Sequence, residues 1–452
     1  MTECISPLHF GILSRKRVVG AFDGGDISSD GGLMLLAQAD QALGLTAQMA
    51  ARVGDARQAG KVRHSMLDLF RQRVYQIAAG YEDCNDAARL RGDPILKVAA
   101  GRRPQTEADL ASQPTLSRWE NVVGRRELYR LAHVFLDLFV GRHLAAPPQR
   151  ILLDLDATDD ETHGQQQLAG FHGYYDEHCY LPLVVTAAVD DGSQELLAFV
   201  LRPGRSTASR GAVAVLKRLH QRLTPALPET TLVLRGDSGF GLPEVYDWCE
   251  AQDRPVDYVL GLATNSRLKQ LAAPYMERAW AEYEASGEPV RRFYEFEYAA
   301  HTWPHPRRVI LKAEVTAEGE NPRFIVTNLS GDREALYDLY AQRGESENRI
   351  KELKNDLRID RTSCHRFAAN QLRVLLHAAA FVLFSYLRAL LAGTEWARAQ
   401  VCTLQRDLLK LGVRVKESTR RVLLQFASSC PVQELWPLLL VRLRVVPRLN
   451  WG

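Results

Sequence analysis

This sequence predicts a multidomain α/β protein in which helical regions flank a mixed-sheet core split by a strand-rich insertion. Three observations predict it. At 452 residues the chain is too long for one ordinary domain. Its middle carries short aliphatic runs between helix-periodic stretches, the pattern of strands and helices layered in one domain. Helix-periodic sequence lies on both sides of that middle, and a second group of strand-like runs interrupts it after residue 264.

The elements follow in order. From Gly31 to Leu144 the pattern is helical, with Ser28-Ser29-Asp30 as an N-cap before GLMLLAQADQAL. Pro147-Pro148 ends this region. Arg150 to Asp156 is an aliphatic strand with carboxylates at its end. After a polar and aromatic loop, Leu181 to Val189 reads as a second strand, and Asp190 to Ser193 turns it into a third, Glu195 to Leu201. A helix (Ala212 to Leu223), a fourth strand (Thr231 to Arg235), a helix (Leu242 to Ala251) and a fifth strand (Asp257 to Ala263) complete the core. Three leading strands followed by alternating helices and strands is the RNase H-like order. Arg292 to Ala299, Arg307 to Val315 and Phe324 to Asn328 read as strands of a separate β-rich insertion, and from Asp332 the chain is helical to its end near Trp451. The expected parts are 1–148 (helical), 149–264 (core, first part), 265–331 (β-rich insertion), 332–392 (core, second part) and 393–452 (helical).

Composition narrows the function classes. With 46% hydrophobic and 25% charged residues, the chain can bury a core. The net charge of +3, from 57 basic and 54 acidic residues, does not announce a nucleic-acid binder, so any DNA contact requires segregated cations. Seven cysteines without a CxxC pair argue against a disulfide framework and for a reducing cytoplasm. The N-terminus lacks the apolar run of a signal peptide. The apolar stretch Val374 to Leu391 is interrupted by His377, Ser385 and Arg388, which reads as a buried helix, with no membrane partner.

The chemistry concentrates in one stripe. Tyr340, Arg343, Glu347, Lys351 and Lys354 are spaced three, four, four and three apart, so on a single helix they share one face. A carboxylate there supplies a metal ligand, and Arg and Lys grip phosphate oxygens. The bland alternative is a solvated face with a Glu347–Lys351 pair. Two more carboxylates weigh against it: Asp156 ends the first strand, and Asp237 follows the fourth in Leu234-Arg-Gly-Asp-Ser-Gly-Phe240. In an RNase H-like sheet those strands are neighbours, and Glu347 arrives from the later helix. Three hard oxygen donors suit two Mg²⁺ ions, with Mn²⁺ able to substitute, for in-line phosphoryl transfer. Taken singly, a strand-end aspartate is as readily a turn or capping residue.

The sequence resembles the DDE transposases of bacterial insertion sequences, specifically the insertion-sequence-1380 family. The resemblance rests on Leu153-Asp-Leu-Asp-Ala-Thr-Asp-Asp160, Thr162-His-Gly-Gln-Gln-Gln167, Phe171-His-Gly-Tyr-Tyr-Asp-Glu-His-Cys-Tyr-Leu-Pro-Leu183 and Leu234 to Phe240. It rests also on the YREK signature Tyr340-x2-Arg343-x3-Glu347-x6-Lys354 and on Leu110 to Arg118. It implies a DDE triad, Mg²⁺ dependence, recognition of terminal inverted repeats, and a β-rich insertion between the second and third acids. By position Asp237 matches the second acid and Glu347 the third. Asp154 and Asp156 lie two apart on one strand face, and Asp156 is favoured as the first acid because the site forms where the strand ends. Glu345 falls off the stripe and is the weaker rival to Glu347.

His163, His172, His178 and Cys179 share one loop, but their spacing matches no standard zinc site. The loop is expected to cover the active site, with His163 and Gln165 near phosphate and Phe171, Tyr174 and Tyr175 packing or stacking on a base. Arg349, Lys351, Lys354, Arg358, Arg361, Arg366 and Arg373 form one basic stretch, expected as a DNA track. Lys410, Arg414, Lys416, Arg420 and Arg421 form another, equally well explained by solubility. End recognition is expected in the N-terminal helical region, with Ser112 to Asn121 a candidate. The expected function is cut-and-paste transposition by a homodimer acting on terminal repeats and target DNA, with hairpin ends suggested by the resemblance. Competing readings are a domesticated DNA-binding protein without catalysis and a nuclease without strand transfer. A glycosidase is more distant, because it leaves the basic stripe unexplained.

Overall fold

The computed structural model describes residues 7–445 except 191 and 193. Half of the turn read at Asp190 to Ser193, together with Cys4 and the chain end near Trp451, lies outside the described residues. The chain divides into two compact units: Met1–Ala50, Asp55–Trp119 and Tyr386–Gly452 form one, and Ala51–Gly54 with Glu120–Ser385 form the other.

The first unit holds short helices, among them Leu33–Leu43 and Met66–Ala78. Ser65 caps the latter through a capping box with Asp68. The cap read at Ser28-Ser29-Asp30 is not used: Gly32 sits at that helix start, and Asp30 is instead buried against the Tyr81 hydroxyl (2.9 Å) and the Lys410 ammonium (2.7 Å). The C-terminal part is not helical throughout. Val413–Glu417 and Val422–Phe426 form an antiparallel hairpin, and Val413–Arg414 also pair with Ile27–Ser28. Val413 and Val415 are buried while Arg414 and Lys416 are exposed, the two-residue period of a strand with one wet face.

The second unit is built on one mixed sheet. Its strands are β1 (Arg150–Ala157), β2 (Leu183–Val189), β3 (Glu195–Val200), β4 (Thr231–Gly236), β5 (Asp257–Leu262), β6 (Val290–Tyr298), β7 (Arg307–Thr316) and β8 (Arg323–Thr327). Their spatial order is β6-β7-β8-β5-β4-β1-β2-β3, with the short strand Gly319–Glu320 beside β7. β4 runs parallel to β1 and β5, and every other pairing is antiparallel. Within the first five strands the order is therefore 3-2-1-4-5. The strands read after residue 290 are present, but they continue this sheet through the β5–β8 pairing and do not form a sheet of their own. Edge β5 offers a row of unpaired backbone groups, and β8 satisfies them.

The helices are α1 (Arg125–His143), α2 (Ala212–Ala226), α3 (Pro243–Glu250), α4 (Ser266–Ser286), α5 (Arg333–Ala341), α6 (Gly344–Lys351) and α7 (Phe367–Leu390). Leu136, Leu216, Tyr246 and Met276 from α1 to α4 join Leu153, Leu155 and Leu234 in one buried cluster. On the other side Leu336 and Tyr337 of α5 meet Val259, Ile310 and Ile325. Aliphatic strands covered on both faces are what a parallel centre demands. Helix α4 was not foreseen among the strand-like runs; Asn265 caps it by accepting from the Leu268 N–H. Helix α7 is long and apolar enough to span a membrane, and most of its apolar window is buried within the fold.

Candidate active site

The site is set by where two parallel strands stop. Gly236 of β4 pairs with Leu155 of β1, so Asp237, the first residue beyond β4, comes beside Asp156, the next-to-last residue of β1, which still pairs with Val184 of β2. Asp156 accepts from the Ala157 N–H at 2.8 Å, and Asp237 from the Gly239 N–H at 2.8 Å in the turn after β4. Burial pushes the Asp156 carboxyl up to about 6; Arg343 pulls against this, and the nearby charges of Asp237 and Glu347 add to it. Those two couplings place all three acids in one electrostatic neighbourhood.

Asp154 has a different environment. It is 1% exposed and gripped by Arg235 through Nε and Nη2 (2.5 and 2.8 Å), while Gln194 donates to it at 2.7 Å. Three hydrogen bonds hold both its oxygens inside the fold. Arg235, also buried, donates in addition to the Leu339 carbonyl of α5 at 2.6 Å. Sequence reasoning missed this arginine, because its role depends on a partner 81 positions away.

The stripe does not lie on one helix. The chain is helical over α5, breaks at Gln342–Arg343, resumes as α6, and widens into a π-helical turn over Glu352–Asp356. Gly344 is a weak helix former, and the Arg343 N–H bonds Tyr340 three residues back, tightening the chain there. The break carries Arg343 over the acids: its guanidinium is 3.7 Å from Asp156 and 4.0 Å from Glu347. Burial alone would lower Arg343, but Asp156, Tyr340, Asp237 and Glu347 outweigh it and hold the side chain charged. The Tyr340 ring lies 5.9 Å from that guanidinium. Its hydroxyl and the Asp237–Ser238 backbone both crowd Gly261, where a Cβ would meet the Ser238 nitrogen at 2.7 Å and the Tyr340 hydroxyl at 2.8 Å. Glu347 is half exposed on α6, which the buried Ser346–Thr186 hydroxyl pair (2.9 Å) ties to β2.

The remaining candidates divide. Lys354 bonds Asp159 at 2.8 Å, a partner sequence reasoning missed although it lies in the acidic run after β1. Lys351 is exposed. His163 is three-quarters exposed and faces Glu161 at 3.8 Å, not the acids. The loop after β1 forms its own small sheet from Asp160–Glu161, Gly170–His172 and Glu177–Tyr180. From it Tyr175 donates to the Ala157 carbonyl at 3.3 Å; burial, then the charges of Asp159 and Asp156, push its hydroxyl well up. Glu345 points toward Arg349 (3.7 Å). Arg373 is buried against Glu120, and Arg349 is largely buried with Glu352, so neither belongs to an exposed basic track. Arg358 and Arg361 are exposed.

Among the described residues no group of three His, Cys, Asp or Glu stands at metal-binding distance, the His163–Cys179 loop included. The donor chemistry of Asp156, Asp237 and Glu347 nevertheless suits a hard divalent cation. Burial first, and the charges of Asp237 and Glu347 in smaller part, raise Asp156, and Arg343 supplies countercharge beside Asp156 and Glu347.

The sequence model of the family described as "Transposase DDE domain group 1" matches residues 10–448. Among solved structures, the cryo-EM structure of a piggyBac transposase synaptic complex with hairpin DNA is 12% identical, with a TM-score of 0.43 over 84% of this chain and 79% of that one. No curated protein matches the chain.

Proposed function

The chain belongs to the transposase DDE domain group 1 family, and from that premise we propose that it binds the terminal inverted repeats of an insertion sequence and cuts and rejoins DNA there. The observation that carries this reading is the meeting of Asp156, Asp237 and Glu347 around Arg343 at the ends of two parallel strands. We read the 3-2-1-4-5 sheet as RNase H-like, and Tyr340, Arg343, Glu347 and Lys354 as the YREK signature of the insertion-sequence-1380 family.

In this reading Asp156 is the first acid, because Asp154 is consumed by Arg235 and Gln194. Asp156, Asp237 and Glu347 would hold Mg²⁺ or Mn²⁺, two ions in the full site. Once bound, the metal supplies Lewis-acid help to the attacking oxygen and neutralises charge on the phosphate. The protein does the rest. Arg343, buried and held charged, leaves the carboxylates to grip a phosphate oxygen. Tyr340 packs its ring beside Arg343, and Tyr175 closes the site from the loop side. Lys354 exchanges Asp159 for DNA phosphate, and Lys351 offers a second exposed cation. The active complex is a homodimer joining two DNA ends to a target, with hairpin ends as the intermediate.

The test is a gel assay of the purified protein on duplex DNA carrying the repeats that flank its gene, with Mg²⁺ or Mn²⁺. Asp156→Ala, Asp154→Ala, Asp237→Ala and Glu347→Ala run beside the unaltered protein. Metal-dependent end cleavage and joining, abolished at Asp156, Asp237 and Glu347, is expected; Asp154→Ala is expected to act through folding, losing thermal stability. Binding without cleavage in either metal would point to a non-catalytic DNA-binding protein. Cleavage without joining would point to a nuclease.

A further inference from the structure

Outside the site, the least accounted-for element is the antiparallel ribbon of Leu8–Leu13 and Lys16–Gly20 in the first unit. Every residue in its two strands is exposed except Gly20, which is half-buried. Among the described residues it pairs with no other strand. Phe10, Ile12 and Leu13 are 68, 75 and 70% exposed. An isolated two-stranded ribbon has no core of its own and gains little from water, so a partner is needed to explain these side chains.

The tip indicates what kind of partner. Leu13 pairs with Lys16, leaving Ser14 and Arg15 as a two-residue turn with φ of 49° and 71°. Such turns favour Asn-Gly because both residues must be left-handed. Here an arginine takes that conformation, and Arg15, Lys16 and Arg17 follow one another at the tip. Residues 8–20 contain no acid. No described ion pair involves any of the three cations. Three unneutralised charges beside exposed apolar side chains complement a polyanion whose grooves carry apolar edges.

We propose that this ribbon is a DNA-binding arm that enters the major groove, a proposal that rests on the reading of the chain as a DNA-acting enzyme. A two-stranded β-ribbon is one of the two elements that fit a major groove about 12 Å wide. Arg15, Lys16 and Arg17 hold phosphates on the groove walls. Ile12, Leu13 and Phe10, whose ring lies over Gly20, reach base edges and thymine methyl groups.

The test measures binding of the full-length protein to a duplex carrying the flanking repeats, and to a scrambled duplex, across a salt series. The triple variant Arg15→Gly, Lys16→Thr, Arg17→Thr removes the charges with residues that favour the same turn and strands. The slope of log K against log salt should become shallower by about 2.7, at about 0.9 per phosphate contact, and affinity should fall at least about tenfold on both duplexes. An unchanged slope and affinity would overturn the proposal. A second variant, Phe10→Ser with Leu13→Ser, should weaken binding to the repeat duplex while keeping the salt slope. If it instead changes the sedimentation of the free protein and leaves DNA binding intact, the ribbon joins two copies of the chain, and the proposal fails. Cleavage is scored separately. Ends bound but never cut would refute the transposase reading while the slope comparison still decides the arm.

Discussion

Replacing Asp156 with Asn should make the protein more stable while abolishing its reaction. The carboxyl is raised from its ordinary 3.8 to about 6, first by burial and then by Asp237 and Glu347, against the pull of Arg343. At 1.36 kcal/mol per pH unit, the charged form is disfavoured in the folded protein by roughly 3 kcal/mol. The sign follows from linkage. Below pH 3.8 the group is protonated in both folded and unfolded chains and costs nothing. Between about 4 and 6 the unfolded chain ionises first, so stability falls as pH rises, and above 6 the full cost is present. Asn imitates the neutral acid and removes that cost. At pH 7.5 in EDTA the variant should melt higher, by about 2 °C per kcal/mol or on the order of 6 °C, and the gap should close by pH 4. Adding Mg²⁺ should raise the melting temperature of the unaltered protein alone, because only its carboxylates bind the ion and binding stabilises by mass action. Thermal melts at pH 4, 6 and 7.5 make the comparison. An Asn variant equal to or below the unaltered protein at pH 7.5 would refute the claim that the buried charge at Asp156 is kept at a cost in stability.

Other outcomes follow from the same geometry. Arg235→Leu strands Asp154 as a buried, unpaired charge and should cost about 3–5 kcal/mol in urea unfolding, with much of the loss recovered by adding Asp154→Leu; a single-variant cost below about 1 kcal/mol would contradict the role given to this pair. Gly261→Ala puts a methyl group within 2.7 Å of the Ser238 nitrogen and 2.8 Å of the Tyr340 hydroxyl and must displace both, so end cleavage should fall at least tenfold while far-ultraviolet dichroism stays unchanged. Full activity in that variant would show that the Asp237 turn tolerates displacement. Lys354→Met removes the cation beside Asp159, Asp160 and Asp360, of which burial already raises the last two. Its loss of melting temperature should therefore grow as pH rises from 5 to 8 and more of the cluster's charge is left without its cation; equal losses would mean that Lys354 does not neutralise this cluster.

Much of this protein could be read from local pattern. Aliphatic runs ending at Asp156 and before Asp237 marked β1 and β4, because a strand buried on both faces must be apolar along its length. Alternation of those runs with amphipathic stretches announced α2 and α3. The spacing of Tyr340, Arg343, Glu347 and Lys354 drew attention to the segment that carries Arg343 to Asp156. These features depend on residues close in sequence, where period and chemistry are enough. The hairpin at Val413–Glu417 and Val422–Phe426 also had a local signal, an alternation of valines and cations, but the surrounding helical pattern obscured it. Helix α4 was hidden likewise between strand-like runs.

What remained lay in partners far apart in the chain. Nothing near Asp154 reveals that Arg235 and Gln194 enclose it, so two aspartates on one strand face looked alike until the fold gave one a cage and the other an open strand end. Lys354 looked free until Asp159 was found beside it, and the stripe looked continuous until the break at Gln342–Arg343 set Arg343 over the acids. The continuation of the sheet through β8 was equally invisible, since a strand's sequence records its own two faces but not which neighbour will satisfy its backbone. Sequence alone determined which residues could do chemistry and roughly where each element runs. Tertiary packing decided which of those residues are exhausted as structural partners and which stay crowded, charged and available, because burial and pairing are properties of neighbours that the chain brings together only on folding.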